Sequence, residues 1–202
     1  MNAITKPSLL NTKTRYRPPA EVSVAHSLND MMQVIAIRSA VYMSEQDCPF
    51  HEEYDGNDFT ATHLIARVNG QPVGVVRIRW FADFAKLERL AVLKDHRGGD
   101  ATHKLIVSAF AFAARKGYRT MVGHAQPRLV PFWIRKYGGR VRQGRPAFMF
   151  SDYEYTEMEI DLVPPSDALG IDSDPMVLVR PEGEWDQPGV LERSAARSAP
   201  NQ

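Results

Sequence analysis

The 202-residue sequence has too few cysteines for disulfide bonds or a multi-cysteine metal site, and it has no long apolar segment. Its single cysteine, Cys48, excludes an intramolecular disulfide framework and a zinc site made of several cysteines. No apolar run approaches the roughly 18 residues that a membrane-spanning helix needs. The start of the chain lacks the apolar stretch and small-residue cleavage site of a secretory signal. We therefore expect a soluble protein of the reducing cytoplasm.

An excess of either charge is also missing. The 25 Lys and Arg residues nearly balance the 24 Asp and Glu residues, so the formal net charge is +1 at pH 7. This balance provides no general attraction to nucleic acid or to an anionic membrane, and any anion binding must be local. The six histidines show no paired helical spacing, and we expect no metal site.

The chain divides by composition into three segments. Residues 1–19 are polar and basic and end in two prolines, which predicts a flexible arm. A hydrophobic content of 44% is enough for one well-buried core, which we place at residues 20–163. Residues 164–202 form a polar, proline-containing tail, in which residues 175–189 can order as a short extended arm on the domain.

Alternating and helical patterns predict a mixed α/β domain. Asn29 or Asp30 can cap the first helix, and Asn69-Gly70 is a strong signal for a type I′ hairpin. Gly117 closes the second helix, and Ser151-Asp152 joins the last two strands. The predicted order is a strand at 21–27, a helix to Met43, an acidic loop at 44–59, strands at 62–68, 72–80 and 86–93, a helix at 103–117, a strand at 120–126, a helix at 129–139, and strands at 147–150 and 153–162.

The stretch LERLAVLKDHRGGDATHKLI, residues 87–106, leads from a strand through a glycine turn into a helix. Free N–H groups and the helix dipole make such a turn suitable for binding an anion. Asp100 lies in this turn and supports a second interpretation, in which it simply caps the helix that begins at Ala101.

This order of elements, with an Arg-Gly turn after the fourth strand, resembles the GNAT acyltransferase superfamily over residues 20–163. The stretch RSAVYMSEQDCPFHEEYDGNDFTATHLIA, residues 38–66, is similar to the opening of ElaA-type acetyltransferases. Its acidic spacing, followed by a strand carrying Glu-Arg-Leu-Ala-Val, is also similar to acyl-homoserine lactone synthases and FeeM-like N-acyl amino acid synthases. The stretch HAQPRLVPFWIRKYGGR resembles the fifth strand of the superfamily and the helix that follows it.

The resemblance implies a mostly antiparallel central sheet flanked by helices, with acyl-CoA or an acyl-carrier-protein thioester as co-substrate. The phosphate turn of the family is Arg/Gln-x-x-Gly-x-Gly/Ala, and here both later glycines are replaced; a slip of one residue puts His96 in place of the arginine. Leu90 and Val92 are expected to line the acyl cleft. The donor phosphates are expected at the turn, which comprises Arg97, Gly98, Gly99, Asp100, Ala101, Thr102 and His103.

Asp100 bears on the choice of donor. A carboxylate in the first turn of the helix competes with phosphate for the same N–H groups and repels it. A pyrophosphate would be affected more than a single phosphodiester. The sequence therefore suggests an acyl-carrier protein as donor, unless neighbouring bases compensate.

Glu88, His124 and Tyr137 are the candidate catalytic residues. Strand alternation predicts Glu88, Leu90 and Val92 on the face that looks into the acyl cleft of GNAT enzymes, where Glu88 can act as a base directly or through water. The alternative for Glu88 is a cross-strand salt bridge with Arg77 or Arg79. Arg89 is expected on the other face, paired with Glu45 or Asp55.

His124 lies in the fifth strand, where this fold separates strands four and five, and it can relay a proton or be a structural histidine. The tyrosine that protonates the thiolate in the family aligns with Ile134, so the usual acid is absent. Tyr137, Tyr153 or Tyr155 can replace it, or the thiolate leaves into water.

Four acids are the candidate acceptor-binding residues: Glu45, Glu53, Asp55 and Asp58. Aromatic residues interleave with them, which suits an acceptor with both charge and apolar bulk; the alternative is a solvated acidic loop. The sequence thus predicts an N-acyltransferase for a small amine such as an amino acid, with an acyl chain that can exceed acetyl. The alternatives are an ElaA-type acetyl-CoA acetyltransferase and a catalytically silent GNAT domain that binds an acyl thioester or a partner protein.

Overall fold

The protein is built around one twisted sheet. A computed structural model describes residues 18–198, with side chains described to residue 194. Except for its last two residues, the predicted arm at 1–19 lies outside the described residues. Numbered along the chain, the described strands lie side by side in the order one, two, three, four, five, eight and six, and the seventh strand pairs with the eighth. Every described strand pair is antiparallel except the fourth with the fifth, which confirms the mostly antiparallel sheet that the resemblance implied.

The elements follow the predicted order with a few additions. The strands are β1 Glu21–Val24, β2 Thr62–Val68, β3 Gln71–Trp80, β4 Ala85–Val92, β5 Thr120–Ala125, β6 Arg140–Val141, β7 Phe148–Phe150 and β8 Tyr153–Asp161. The helices are α1 Leu28–Arg38, α2 Phe50–Glu53, α3 Ala101–Arg115, α4 Val130–Tyr137, α5 Pro175–Leu178 and α6 Val190–Ser198. A π-helical turn, Ser39–Ser44, continues α1, and the predicted acidic loop contains the short helix α2.

Helices cover both faces of the sheet. Helix α3 packs on one face through residues such as Leu105 and Ala109, which share a buried cluster with Leu87 and Ile160 of the sheet. Helix α1 packs on the opposite face, where Val34 and Ile37 join the second buried cluster. We call these the α3 face and the α1 face.

Local capping and turn chemistry explain where the elements begin and end. Helix α1 is capped by Ser27 rather than by Asn29 or Asp30; the Ser27 side chain accepts from the Asp30 N–H, and Asp30 bonds back in a capping box. Strand β1 therefore ends before this cap. Asn69 and Gly70 both have positive φ, 50° and 77°, which confirms the predicted hairpin turn.

A bulge in β4 overturns the predicted strand alternation. Arg89 has φ of 50°, and the register with β3 shifts between the Arg77–Glu88 pair and the Val75–Ala91 pair. Because the bulge inserts one residue, Leu90 packs in the α3-face cluster whereas Glu88 contacts Arg77 beside α1. Glu88 and Leu90 therefore point to opposite faces, and Arg89 lies on the same side as Glu88.

Strands β4 and β5 diverge near their C-terminal ends. Their parallel ladder ends at the Leu87–Gly123 pair. Strand β4 nevertheless continues to Val92 and β5 continues to Ala125. The divergence opens a gap in the sheet beside His124, as the resemblance to the GNAT superfamily implied.

The C-terminal segment packs on the domain, but not as an extended arm. Helix α5 forms one turn, and the chain then turns so that Trp185 becomes buried against Phe112, with ring centroids 5.0 Å apart. Arg180 holds this arrangement by donating to the Trp185 carbonyl and pairing with Glu192. Among the described helices, none is long and apolar enough to cross a membrane.

A substitution at Gly74 can test how tightly α3 packs on the sheet. An added Cβ there would lie 2.9 Å from Val92 Cγ2 and 3.1 Å from both the Ala91 carbonyl oxygen and Leu105 Cδ1. We expect Gly74→Ala to lower the free energy of unfolding by about 1–3 kcal/mol through overpacking. Urea unfolding measures this, with Gly170→Ala as the control because no described atom lies within 4 Å of its added Cβ. Equal stability of the two variants would contradict this account of the packing.

Candidate active site

A cleft of about 630 Å³ opens where β4 and β5 diverge. Residues from both faces of the sheet line it, including Leu87, Leu90 and Trp133 from the α3 face. The α1 face contributes polar and aromatic residues. The further lining residues used below, from this face and from the adjoining loops and strands, are Tyr42, Asp55, Arg79, Lys86, Glu88, Arg89, His124, Gln126, Arg128, Phe148, Met149 and Tyr155.

A smaller apolar pocket of about 20 Å³ adjoins the cleft. It shares Leu87, His124, Ala125 and Trp133 with the cleft. Its remaining wall is formed by Phe110, Gly123, Met158 and Ile160. The cleft thus connects an apolar pocket among α3-face residues with a polar surface on the α1 face.

The predicted acceptor acids form a buried ion-pair network instead of an open acidic surface. The Arg77 guanidinium is fully buried and binds three carboxylates: Asp55 at 2.6 Å, Asp58 at 2.9 Å and Glu88 at 2.5 Å. Arg38, also fully buried, pairs with Asp58 at 2.5 Å and with Glu53. The acids are therefore neutralised by arginines of α1 and β3.

Burial changes what these acids can do. Glu53 is fully buried, which raises its pKa despite the nearby arginines, and a direct contact with an acceptor is incompatible with this burial. Burial alone would raise the pKa of Asp55 and Asp58, but hydrogen bonds from Arg77 and Arg38 outweigh it and leave both pKa values lowered. Asp55 reaches the cleft with its charge already paired. Glu45 lies apart from this network and pairs with Arg97 at 2.7 Å.

Glu88 lines the cleft but is a weak candidate base. Burial would raise its pKa, yet Lys86, whose Nζ lies 2.8 Å from Glu88 Oε1, and Arg77 leave the pKa lowered. The cross-strand pairing that was its alternative interpretation is present, with Arg79 also 3.8 Å away. A proton-accepting role for Glu88 through water stays a prediction.

His124 is better suited to accept a proton. Its ring lines the cleft, lies edge-on to Phe148 at 4.6 Å, and approaches Glu157 with Nε2 3.2 Å from Oε2. Burial lowers the pKa of His124 below its usual value, although Glu157 acts in the opposite sense. The lowered pKa favours the neutral imidazole, the form that a base requires.

The tyrosines separate into two groups. Tyr137 packs against the aromatic residues of α4 and lies 3.1 Å from His103 Nδ1, and it is not among the residues that line the cleft. Tyr155 does line the cleft, accepts a hydrogen bond from Gln126 at 3.4 Å and has a pKa raised by burial. Ile134, at the position of the family's acid, is 45% exposed.

The glycine turn lies at the N-terminus of α3 as predicted. Gly98 has φ of 74°, a conformation that favours glycine, and Ala101, Thr102 and His103 form the first helical turn. Asp100 occupies the cap position without capping: its carboxylate accepts from the Ala20 N–H at 3.1 Å and lies 3.3 Å from Lys104 Nζ. The first-turn N–H groups are thus not occupied by Asp100.

Two predicted donor residues are placed differently. Val92 is buried in the α3-face cluster and does not line the cleft, whereas Leu90 does. Arg97 donates to the Val92 carbonyl at 2.9 Å as well as pairing with Glu45. Arg97 also borders a second opening of about 590 Å³ together with Gln126 and Arg128, residues that the sequence analysis did not single out.

Sequence and structure comparisons place the chain among known proteins. Residues 29–138, more than half of the chain, match the Acetyltransferase (GNAT) family. The protein belongs to this family. It is 30% identical over 118 residues to the uncharacterized N-acetyltransferase YjcF of Bacillus subtilis (strain 168), a match that covers 58% of this chain and 84% of YjcF. Acyl transfer is therefore its general chemistry.

Two solved structures share the fold of this GNAT protein. Escherichia coli ElaA aligns with a TM-score of 0.62 and 21% identity over 69% of this chain and 99% of ElaA. The CoA-dependent acyl-homoserine lactone synthase BjaI, solved with SAM and isopentyl-CoA, aligns with a TM-score of 0.58 and 15% identity over 71% of this chain and 84% of BjaI. Among the described residues, no group of three or more His, Cys, Asp or Glu side chains could hold a metal ion.

Because Arg77 lies at the centre of the buried network, we expect its replacement to lower the stability of the protein. Arg77→Met removes a fully buried partner from three carboxylates. We therefore expect the free energy of unfolding to fall by about 3–5 kcal/mol. Denaturant unfolding measures this. The control is Arg67→Met, since the partly exposed Arg67–Asp30 pair should contribute about 1 kcal/mol or less. Comparable losses in the two variants would contradict a special role for the network.

Proposed function

We propose that this GNAT protein moves a short acyl group from acyl-CoA to a small amine. The supporting observation is the cleft at the β4–β5 gap, which joins the apolar pocket among α3-face residues to His124 on the α1 face. A thioester placed in the gap would present its acyl group to the pocket and its carbonyl carbon to an amine arriving from the His124 side. Backbone N–H groups in the diverging part of β4 are suited to polarise that carbonyl.

The size of the apolar pocket supports a short acyl group. At about 20 Å³, beside a cleft of about 630 Å³, the apolar pocket is a small recess that suits a short chain better than a long one. Met158 and Ile160, both buried, close the far side. This favours acetyl or propionyl over the longer chains that the resemblance to acyl amino acid synthases also allowed.

The turn before α3 supports CoA as donor. Asp100 suggested a carrier protein because its charge would repel a pyrophosphate, but its carboxylate is held by Ala20 and Lys104. That compensation removes the objection to CoA. The N–H groups of Gly98 to His103 are proposed to bind the phosphates, with Arg128 at the adjacent opening adding positive charge.

His124 is proposed as the base and Tyr155 as the acid. His124 would take a proton from the attacking nitrogen while the nitrogen–carbon bond forms. Tyr155, kept protonated by its raised pKa, would protonate the thiolate as the carbon–sulfur bond breaks. Tyr137 stays a candidate for the acid only if it moves from its present contact with His103.

The acceptor is proposed to be a small amine such as an amino acid. Phe148, 42% exposed, and Met149, 63% exposed, provide an apolar wall at the cleft. Arg79 offers a cationic group for a carboxylate on the acceptor. The cytoplasm, which supplies acyl-CoA and amines together, is the proposed compartment.

Release of free thiol tests the proposed function. Purified protein is incubated with acetyl-CoA and a pool of amino acids and other small amines, and thiol formation is followed with and without the amines. We expect amine-dependent release, and a fall of about 10²-fold in His124→Ala but not in the exposed-histidine control His51→Ala. Binding of acetyl-CoA without thiol release would favour the catalytically silent alternative. Faster release from an acyl-carrier protein would favour that donor.

Acyl-chain preference tests the pocket. Because Phe110 closes it from α3, we expect Phe110→Ala to raise kcat/KM for butyryl-CoA relative to acetyl-CoA by about tenfold or more. The wild type should prefer acetyl- or propionyl-CoA. Phe132→Ala, on α4 but outside the pocket, is the matched control and should keep the wild-type preference. A wild type that accepts octanoyl-CoA as well as acetyl-CoA would contradict the assignment of this pocket.

A further inference from the structure

His124, which lines the cleft, forms a cross-strand pair with Glu157. They lie directly opposite each other in the antiparallel β5–β8 ladder, so their side chains share one face of the sheet. Their atoms Nε2 and Oε2 are 3.2 Å apart. The ladder register thus brings a carboxylate to the proposed base.

Glu157 is itself held in place from its other side. Arg142 Nη1 donates to Glu157 Oε1 at 2.9 Å, and Arg145 Nε lies 3.3 Å from the same oxygen. One carboxylate oxygen is therefore tied to arginines beyond the strand while the other faces the imidazole. Both side chains of the pair are mostly buried, with 17% of His124 and 19% of Glu157 exposed.

From this geometry we propose that Glu157 is a positioning residue for His124 in acyl transfer, a role that rests on the proposed function. Glu157 accepts the Nε2–H of His124, which leaves the lone pair on Nδ1 to take the proton from the amine. When His124 becomes an imidazolium, the carboxylate stabilises its charge.

His124 and Tyr155 together account for every proton that moves in the proposed reaction. As the amine nitrogen bonds to the thioester carbonyl carbon, one proton passes from nitrogen to Nδ1 of His124. The carbon–sulfur bond breaks, and the thiolate takes a proton from Tyr155. The proton on His124 then returns to the tyrosinate through solvent, so both residues regain their starting states.

Other charges around His124 set the background for a pH test. Lys86 and Glu88 face it from β4, Glu157 faces it from β8, and Arg142 and Arg145 stand behind Glu157. Removing the Glu157 charge leaves these cations less compensated, which disfavours the imidazolium. The acidic limb of the kcat/KM profile should therefore move to lower pH.

The variant Glu157→Gln tests the role. We expect kcat to fall about tenfold or more. We also expect the acidic limb of kcat/KM to shift to lower pH by about half a unit or more, because a close carboxylate no longer raises the pKa of the histidine. Glu159→Gln is the matched control: Glu159 lies two residues along β8 and pairs with Arg140 and Arg142, but contacts no part of His124 that the structure describes. Glu159→Gln should leave both kcat and the position of the acidic limb unchanged.

A second measurement does not need activity. Nitrogen-15 NMR of labelled histidine in the wild type should show His124 as the Nε2–H tautomer above pH 7, and Glu157→Gln should weaken that preference. An Nδ1–H tautomer in the wild type, or a Glu157→Gln enzyme whose acidic limb is unchanged, would overturn the positioning role while leaving acyl transfer intact. Absence of turnover by the wild type with every acyl-CoA would remove the proposed function, and this role with it.

Discussion

The Arg77 guanidinium connects the parts of the protein that surround the cleft. It lies on β3, is fully buried, and binds carboxylates from the segment after α2 and from β4. An arginine buried in this way is stable only while its carboxylate partners remain, and the same holds for the carboxylates. The acidic segment is therefore fixed against the sheet, and it forms a defined wall of the cleft.

This network changes how the acidic segment can interact with a ligand. A cluster of free carboxylates would attract a cationic acceptor, whereas carboxylates shared between Arg38 and Arg77 have little net charge left to offer. Lys86 and Arg77 together hold the pKa of Glu88 below its usual value, which does not favour a role as base. For this reason the proposed function assigns acceptor recognition to the other residues of the cleft and proton transfer to His124 on β5.

The gap between β4 and β5 lets one ligand contact residues on both faces of the sheet. Side chains on opposite faces of a continuous sheet are separated by its backbone, but a diverging pair of strands lets a ligand contact both faces. In this protein one face offers a small apolar pocket and the other offers a histidine paired with a carboxylate. That separation suits a reaction in which an apolar acyl group and a polar amine approach the same carbon.

The sequence by itself determined the order of elements, the Asn69-Gly70 hairpin, the glycine turn before α3 and membership of the GNAT fold, because each depends on local conformational preferences or on a contiguous motif. It could not reveal that Arg89 adopts a positive φ, which reverses the alternation on which the placement of Glu88 with Leu90 and Val92 depended. Only the tertiary structure decided that the acids are paired, that Glu157 lies opposite His124 and that the apolar pocket beside the cleft is small. These properties depend on strand register, desolvation and packing volume, which arise between residues that are distant in the chain.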